Sequence, residues 1–342
     1  MCRATATWDH GRPDDGPGRE EDNGLGMRIV SLLPSATEIV FALGLGDQLV
    51  GRTHACDHPP GVEDTPVVTV GPDVTVGRQA HDRACQALHG SSATLRLDMD
   101  LLRALEPDLV LAQERCDSCA LRRRDVSDAV RALGGHTMLV SLEAHSVEGI
   151  LNTIATVGAF TEAEDEAIGL IELLRERLGV IENRVLERRL QGMPSRRTVV
   201  LEWLDPLFTS GHWIPEMVRR AGGWELLGAD REVSAETSWE RVRQVDPEVI
   251  VLALCGLDAD GAARELTLAS LPGWFDALEA VREGELFAVD GAGLFLRPGP
   301  RVIDGIAVLA ELLDPEGFAG AGPAEAWIPL GPVSFGASSS TA

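Results

Sequence analysis

The feature that most constrains the fold is an internal repeat in which short apolar strands alternate with amphipathic helices. The strand and helix at residues 28–46 have counterparts at 196–228, and the helix and strand at 99–113 have counterparts at 238–254. Matching elements in the same order predict two lobes of one architecture.

The alternation also predicts how each lobe is built. Strand–helix units in succession favour a parallel sheet covered by helices on both faces. Ligands of such sheets bind beyond the carboxyl ends of the strands, so two such lobes place the default binding site between them. The sequence therefore predicts an α/β fold of two Rossmann-like lobes with parallel sheets and a ligand cleft between them.

Residues 163–190 differ from the repeated units. This stretch has no proline, and Ile171, Leu174, Leu178 and Ile181 recur at helical spacing. An ordinary surface helix of one lobe is one interpretation; the central position favours a long spine helix that joins the lobes. The predicted division is an N-terminal tail, a first lobe, a linking helix, a second lobe and a C-terminal tail, over residues 1–26, 27–162, 163–191, 192–316 and 317–342. Residues 1–26 and about 320–342 are expected to be unpacked.

Charge and hydropathy limit the classes of partner and the cellular location that we expect. The formal net charge of −24 disfavours contact with nucleic acid or anionic lipid. No apolar run is long enough for a membrane span, so we expect a protein that is not embedded in a membrane. Residues 1–26 contain no apolar core of a secretory signal. From this sequence we expect a cytoplasmic protein, with export only if the true N-terminus lies elsewhere.

Two stretches carry a resemblance to a known family. RIVSLLPSATEIVFALGLGDQLVG, at 28–51, and DPLFTSGHWIPEMVRRAGGWELLG, at 205–228, look like typical stretches of cobalamin-binding members of the class III periplasmic-type binding fold. The resemblance covers about residues 28–315. CDHPP, QERCDSCA and RPGPRVIDG resemble a cobalamin-binding-like subgroup without an export signal.

The resemblance implies a function. Members of the family bind siderophores, haem and vitamin B12, so it implies a binding protein for cobalamin or another corrinoid, a similar metal-tetrapyrrole or an iron chelate. Such a protein is a substrate-binding component of an ABC importer, with a small-molecule ligand and a transporter permease as partners. No P-loop, GxSxG or HExxH pattern occurs, so we expect no enzyme.

A polar and aromatic segment follows the first strand of the second lobe. The resemblance implies that it forms the second-lobe wall of the cleft. Flat aromatic faces suit a corrin or porphyrin ring, and His212 could coordinate a metal. Packing of the tryptophans and a backbone hydrogen bond from the histidine are the alternative. The predicted ligand-binding residues of this segment are Trp203, Asp205, Phe208, His212, Trp213 and Glu216.

Further ligand-binding residues are expected at three other places. Arg297 lies in a Pro-Gly turn after a strand, where the resemblance implies contact with the rim of the ligand; pairing with an acid is the alternative. Phe295 precedes it, and Asp57 lies in CDHPP. Ser35 opens the first helix, and with Glu38 it forms a predicted capping box.

Four cysteines follow predicted strands. Cys56, Cys116, Cys119 and Cys255 each lie just past an apolar strand, so all four are expected at the cleft. Converging thiolates would hold zinc or an Fe–S cluster. The alternative function is therefore a cytoplasmic metalloprotein or enzyme with such a centre. Small buried packing residues are the other interpretation.

Two acids occupy matching positions in the repeat. Asp100 and Glu240 each stand seven residues before a matched proline, Pro107 and Pro247. The resemblance implies that acids at these places dock exported relatives onto the transporter. A carboxylate in the first turn of a helix also interacts favourably with the helix dipole, which is the alternative.

Overall fold

The computed structural model describes residues 26–71, 96–113, 121 and 123–331. Cys116, Cys119 and the predicted N-terminal tail up to residue 25 lie outside the described residues. Within those residues, no helix has the length and apolarity needed to cross a membrane.

The first lobe contains a parallel four-stranded sheet in the order β2-β1-β5-β6. A two-stranded antiparallel pair, β3 and β4, lies beside it. The strands of this lobe are β1 Ile29–Ser31, β2 Leu49–Arg52, β3 Thr69–Val70, β4 Arg96–Leu97, β5 Leu109–Ala112 and β6 Met138–Ser141. The helices among the described residues of this lobe are α1 Pro34–Ala42, α2 Met99–Leu105, α3 Arg123–Leu133 and α4 Val147–Thr161.

The second lobe contains a six-stranded sheet in which β12-β11-β10-β7-β8 are adjacent and β9 pairs with β7. Its central strands are parallel, whereas β8 and β12 are antiparallel to their neighbours. The strands are β7 Arg197–Leu204, β8 Leu207–Thr209, β9 Trp224–Glu225, β10 Val249–Leu252, β11 Leu286–Val289 and β12 Trp327–Pro329. The helices are α6 Ile214–Arg220, α7 Trp239–Val245, α8 Ala259–Leu268, α9 Glu279–Arg282, α10 Val302–Leu313 and α11 Pro315–Phe318.

The repeat is visible in the local geometry of the two lobes. Helices α2 and α7 are each capped at the N-terminus by a polar side chain, from Asp98 and Ser238. Each ends in a residue with left-handed backbone, Glu106 and Asp246, before a fully buried strand. Both strands are apolar on both faces because helices cover both sides of the sheet. The predicted two-lobed α/β fold is confirmed.

One long helix, α5, runs over Glu164–Leu190 between the lobes. Its buried face is formed by Ala167, Ile171, Leu174, Leu178 and Ile181. The same buried cluster takes in side chains from α1 and α4 on one side and from α6 and α10 on the other. A single core therefore continues from one lobe through α5 into the other.

Two local predictions differ from the structure. Helix α1 begins at Pro34 after Leu33, so Ser35 does not cap it. The Glu38 side chain pairs with Arg297 and Arg301 instead of with the start of the helix. The predicted capping box is wrong because the helix starts at Pro34, two residues before the start that a Ser35 cap would give. The predicted tail from residue 317 also begins too early: β12 extends the second sheet along β11, and Trp327 packs edge-on against Phe287 with ring centres 5.6 Å apart.

Candidate functional site

A buried ion-pair network joins the lobes beside the carboxyl ends of the strands. Glu38 of α1 accepts hydrogen bonds from Arg297 Nη1 at 2.8 Å and from Arg301 Nε and Nη2 at 3.0 and 2.6 Å. Arg297 Nη1 also lies 2.8 Å from Asp57 Oδ1. The Glu38 side chain is 3% exposed. Removal of these charges from water is costly, and the multiple contacts offset that cost.

The turn that carries the two arginines packs closely on α1. A Cβ on Gly299 would lie 3.1 Å from Glu38 Oε2 and 3.6 Å from Ser35 Cα. Only a residue without a side chain allows this approach without displacement of the carboxylate. Ser35, predicted as a ligand contact, is 2% exposed and lies under this turn.

The second lobe contributes a matching contact. Glu216 of α6, the repeat counterpart of Glu38, accepts a hydrogen bond from the backbone N–H of Val147 at 3.0 Å. Val147 begins α4, so the carboxylate satisfies an N–H that the helix itself leaves open. The other carboxylate oxygen of Glu216 accepts from Arg220 at 2.8 Å. Each lobe thus offers one glutamate of its first helix to the other half of the molecule.

The predicted tryptophans lie inside the second lobe. Trp203 and Trp213 are each 5% exposed, and their indole N–H groups donate to the carbonyl oxygens of Asp205 and Phe295 at 2.9 and 2.7 Å. Phe295 is fully buried. These three rings are therefore packed inside the protein.

Glu202 is a site residue that sequence reasoning missed. It lies on β7, where one carboxylate oxygen accepts from Gly211 N–H at 3.0 Å and the other pairs with the Ser234 hydroxyl at 2.6 Å. Burial raises the pKa of Glu202 to about 7, against the lowering effect of these hydrogen bonds. A Cβ on Gly211 would lie 2.4 Å from Ser234 N, so the two loops fit together only with glycine there. Its one sequence signal is an acid inside an apolar strand.

Glu202 fixes the loop that carries His212. The His212 backbone is left-handed, with φ of 53°, and its N–H donates to Glu232 O at 2.6 Å. The His212 ring lies 5.6 Å from the ring of His145, which follows β6 in the first lobe. His145 was not among the predicted residues, because nothing in the sequence links positions 145 and 212.

The predicted ligand residues therefore divide into two groups. Six are buried: Ser35, Trp203, Trp213, Glu216, Phe295 and Arg297. Four remain accessible, with Asp57 and Asp205 exposed and Phe208 and His212 half-buried. The accessible group supplies carboxylates, one aromatic ring and one imidazole.

Residues 29–292 match the family described as periplasmic binding protein. The chain belongs to this family.

Relatives of this periplasmic binding protein include a substrate-binding lipoprotein and a vitamin B12-binding protein. The chain is 27% identical over 297 residues to an uncharacterized ABC transporter substrate-binding lipoprotein, YvrC, of Bacillus subtilis, with 85% of this chain and 81% of the relative covered. It is also 27% identical over 228 residues to the vitamin B12-binding protein of Yersinia pseudotuberculosis, with 66% and 69% covered. The family consists of substrate-binding proteins.

Solved structures share the fold. The periplasmic vitamin B12 binding protein BtuF of Vibrio cholerae superposes with a TM-score of 0.62 and 21% identity, covering 85% of this chain and 97% of that one. A periplasmic heme binding protein from Pseudomonas aeruginosa gives a TM-score of 0.64 and 21% identity, covering 85% and 94%. The predicted resemblance is confirmed.

Membership of a periplasmic binding protein family corrects the predicted location. We expected a cytoplasmic protein from the absence of an apolar segment in residues 1–26. That expectation is wrong, because the relatives are periplasmic or lipoprotein substrate-binding proteins of importers, which are exported.

Two of the four predicted cysteines, Cys56 and Cys255, lie among the described residues. Cys56 is 2% exposed, and its sulfur accepts a hydrogen bond from the Thr37 hydroxyl at 2.9 Å. Burial raises the pKa of the Cys56 thiol, which favours the protonated form over a thiolate ligand. Cys255 is half-buried after β10, and its N–H donates to Glu202 O at 3.0 Å. Cys116 and Cys119 lie outside the described residues.

Proposed function

We propose that this chain is the ligand-binding component of an ABC importer and that its ligand is a metal chelate, with a corrinoid such as cobalamin as the first candidate. The observation that carries the proposal is a set of polar contacts that joins the two lobes, which we call the seam. The seam consists of the contacts of Glu38 with Arg297 and Arg301, of Arg297 with Asp57, and of Glu216 with Val147. Glu38, Arg297 and Glu216 hold the lobes together through buried contacts. A continuous core through α5 supports the same arrangement. A cleft held in this way is preformed, which reduces the cost of ordering on binding.

The accessible residues favour a corrinoid over haem. Phe208 offers an aromatic face for a flat ring, and Asp57 and Asp205 offer carboxylates as hydrogen-bond acceptors. A corrin ring carries amide groups around its edge, whose N–H groups can donate to these acids. Haem carries two carboxylates instead, which the acids and the net charge of −24 would repel.

Titration of the purified chain with three ligands tests the proposal. Cyanocobalamin, haemin and a ferric hydroxamate chelate are each added while tryptophan fluorescence and heat are followed. We expect one cobalamin per chain and weaker binding of haemin. Phe208→Ala should weaken cobalamin binding about tenfold through lost stacking.

A phenylalanine far from the cleft provides the control. Phe160 lies on α4 and is 40% exposed, about 20 Å along that helix from its N-terminus. Phe160→Ala should bind cobalamin as the unchanged chain does. Failure to bind any of the three chelates would overturn the proposal.

We further propose that the chain binds its ligand without converting it and that Asp100 and Glu240 contact the permease. Each acid lies in the first turn of a matching helix, one in each lobe. The Asp100 side chain is 97% exposed. A cysteine-ligated zinc or Fe–S centre has less support, because the Cys56 thiol is buried and its pKa is raised.

A further inference from the structure

Two histidines, one from each lobe, face each other at the seam. The ring centres of His145 and His212 are 5.6 Å apart and the ring planes are inclined by 36°. Both residues are half-buried, and the Nδ1 atom of each ring is itself buried. His145 is not among the residues that we propose for cobalamin binding.

The spacing matches two imidazoles on one metal ion. With metal–nitrogen bonds of about 2.1 Å, the centres of two bound rings lie about 5.3 Å apart at a tetrahedral angle. The same bonds give about 4.6 Å at a right angle and about 6.5 Å for opposite positions. The observed 5.6 Å is closest to the tetrahedral value.

The backbone around each histidine is held in place before any ion arrives. His145 precedes Ser146, whose side chain caps α4. The backbone N–H of the following residue, Val147, donates to Glu216 across the seam. On the other side, the residue before His212 is held by Glu202, and the His212 N–H is bound by Glu232 O. Sites built on such supported positions bind metal with little reorganisation.

We infer that His145 and His212 together bind a divalent transition-metal ion of the nickel, cobalt or zinc class. Neutral imidazole is a preferred ligand for these ions. In the described part of the chain, no group of three or more histidine, cysteine or acidic side chains is arranged around one ion. The pair therefore supplies two ligands, and water or a small open chelator fills the other positions.

This site shares His212 with the residues predicted to contact a corrinoid, but it takes a different kind of ligand. A tetrapyrrole leaves open positions only on opposite faces of its metal, whereas this pair requires two adjacent positions. The strongly acidic chain, at −24, attracts cations to the site. Because the ion links one residue of each lobe, its binding also stabilises the folded arrangement of both.

Titration of the chelator-stripped full chain with Co²⁺ or Ni²⁺ alone tests the inference. We expect one ion per chain by calorimetry, a visible Co²⁺ absorption band and a rise in the melting temperature. His145→Asn and His212→Asn should each weaken binding at least tenfold and remove the thermal shift. Asparagine is chosen because it tolerates the left-handed backbone at position 212.

His136→Asn is the matched control, since His136 is exposed in a turn of the first lobe. It should bind the ion as the unchanged chain does. The inference is overturned if the unchanged chain binds no stoichiometric ion, or if the two seam variants bind like the control. No corrinoid is present in this titration, so its failure is separate from failure of the proposed function.

Discussion

Two glutamates with desolvated carboxyl groups lie on neighbouring strands of the second lobe and serve as fixed acceptors. Glu202 on β7 holds Gly211 and Ser234, while Glu225 on β9 accepts backbone N–H groups, including those of Val200 and Gly228. Burial raises the pKa of both to about 7. At each position the carboxylate loses solvation by water, and its hydrogen bonds hold the neighbouring loop in place.

The raised pKa of Glu202 predicts a pH-dependent stability. The unfolded chain ionises this carboxyl near its ordinary value of 4.5, whereas the folded chain does so at about 7. The folded state binds the proton more tightly, so the free energy of unfolding falls as pH rises from about 4.5 to about 7. This carboxyl alone contributes a loss on the order of 2–3 kcal/mol.

Urea unfolding at pH 5 and pH 8 measures this loss. Glu202→Gln keeps an acceptor for Gly211 and a donor for Ser234 but cannot ionise, so its stability should fall less across the interval. Exposed Glu172→Gln should follow the unchanged chain. Parallel losses in all three proteins would contradict the assignment.

At the scale of single residues, the sequence predicted where the candidate site residues lie in the fold better than it predicted what their side chains contact. Trp203, Trp213 and Arg297 were placed at the strand ends, yet their polar groups bind protein partners. The ion pair between Glu38 and Arg297 spans 259 positions of the chain. A single sequence without the packing of the lobes contains no signal for such a pair.

At the scale of elements, periodicity predicted the central strands and helices, because their burial on one or both faces sets the pattern. Helix α5 was expected over 163–190 and runs over Glu164–Leu190. The short antiparallel strands β8 and β12 were not recognised. They have three residues each, too few for an alternating pattern to appear.

Strand β12 predicts a measurable contribution from the C-terminal segment. Its pairing with β11 covers Phe287, which is 8% exposed, and Leu330 N–H donates to Leu286 O at 2.8 Å. A chain ending at residue 322 should therefore melt about 3 °C below a chain ending at residue 331, for a loss of about 2 kcal/mol. Thermal unfolding of the two truncated chains measures the difference.

A point variant separates packing from strand pairing. Trp327→Ala in the full chain removes the edge-on contact with Phe287 and leaves the backbone pairing in place. It should lower the melting temperature by less than the truncation does. Equal melting temperatures of the two truncated chains would show that β12 adds no stability.

At the scale of the whole molecule, the two lobes are joined in three ways: by α5, by the shared core and by polar contacts at the seam. The polar contacts follow the repeat, since Glu38 and Glu216 occupy matching helices and each reaches across to the other half. A preformed cleft requires that the relative position of the lobes be fixed before the ligand enters. The seam carboxylates supply directional contacts that the apolar core does not.

Loss of the Glu38 charge is therefore expected to weaken the whole assembly. In Glu38→Gln, Arg301 loses its carboxylate partner and Arg297 keeps only Asp57, so two mostly buried cations are left with less compensation. Breaking a buried pair in this way costs about 3 kcal/mol or more. Asp100→Asn, which removes an exposed pair with Arg103, should cost less than about 1 kcal/mol.

Urea unfolding compares the two variants, and amide hydrogen exchange should rise at residues 297–301 only in Glu38→Gln. If Glu38→Gln were no less stable than Asp100→Asn, the lobes would be held by α5 and the shared core alone, and the seam carboxylates would have no part in fixing the cleft.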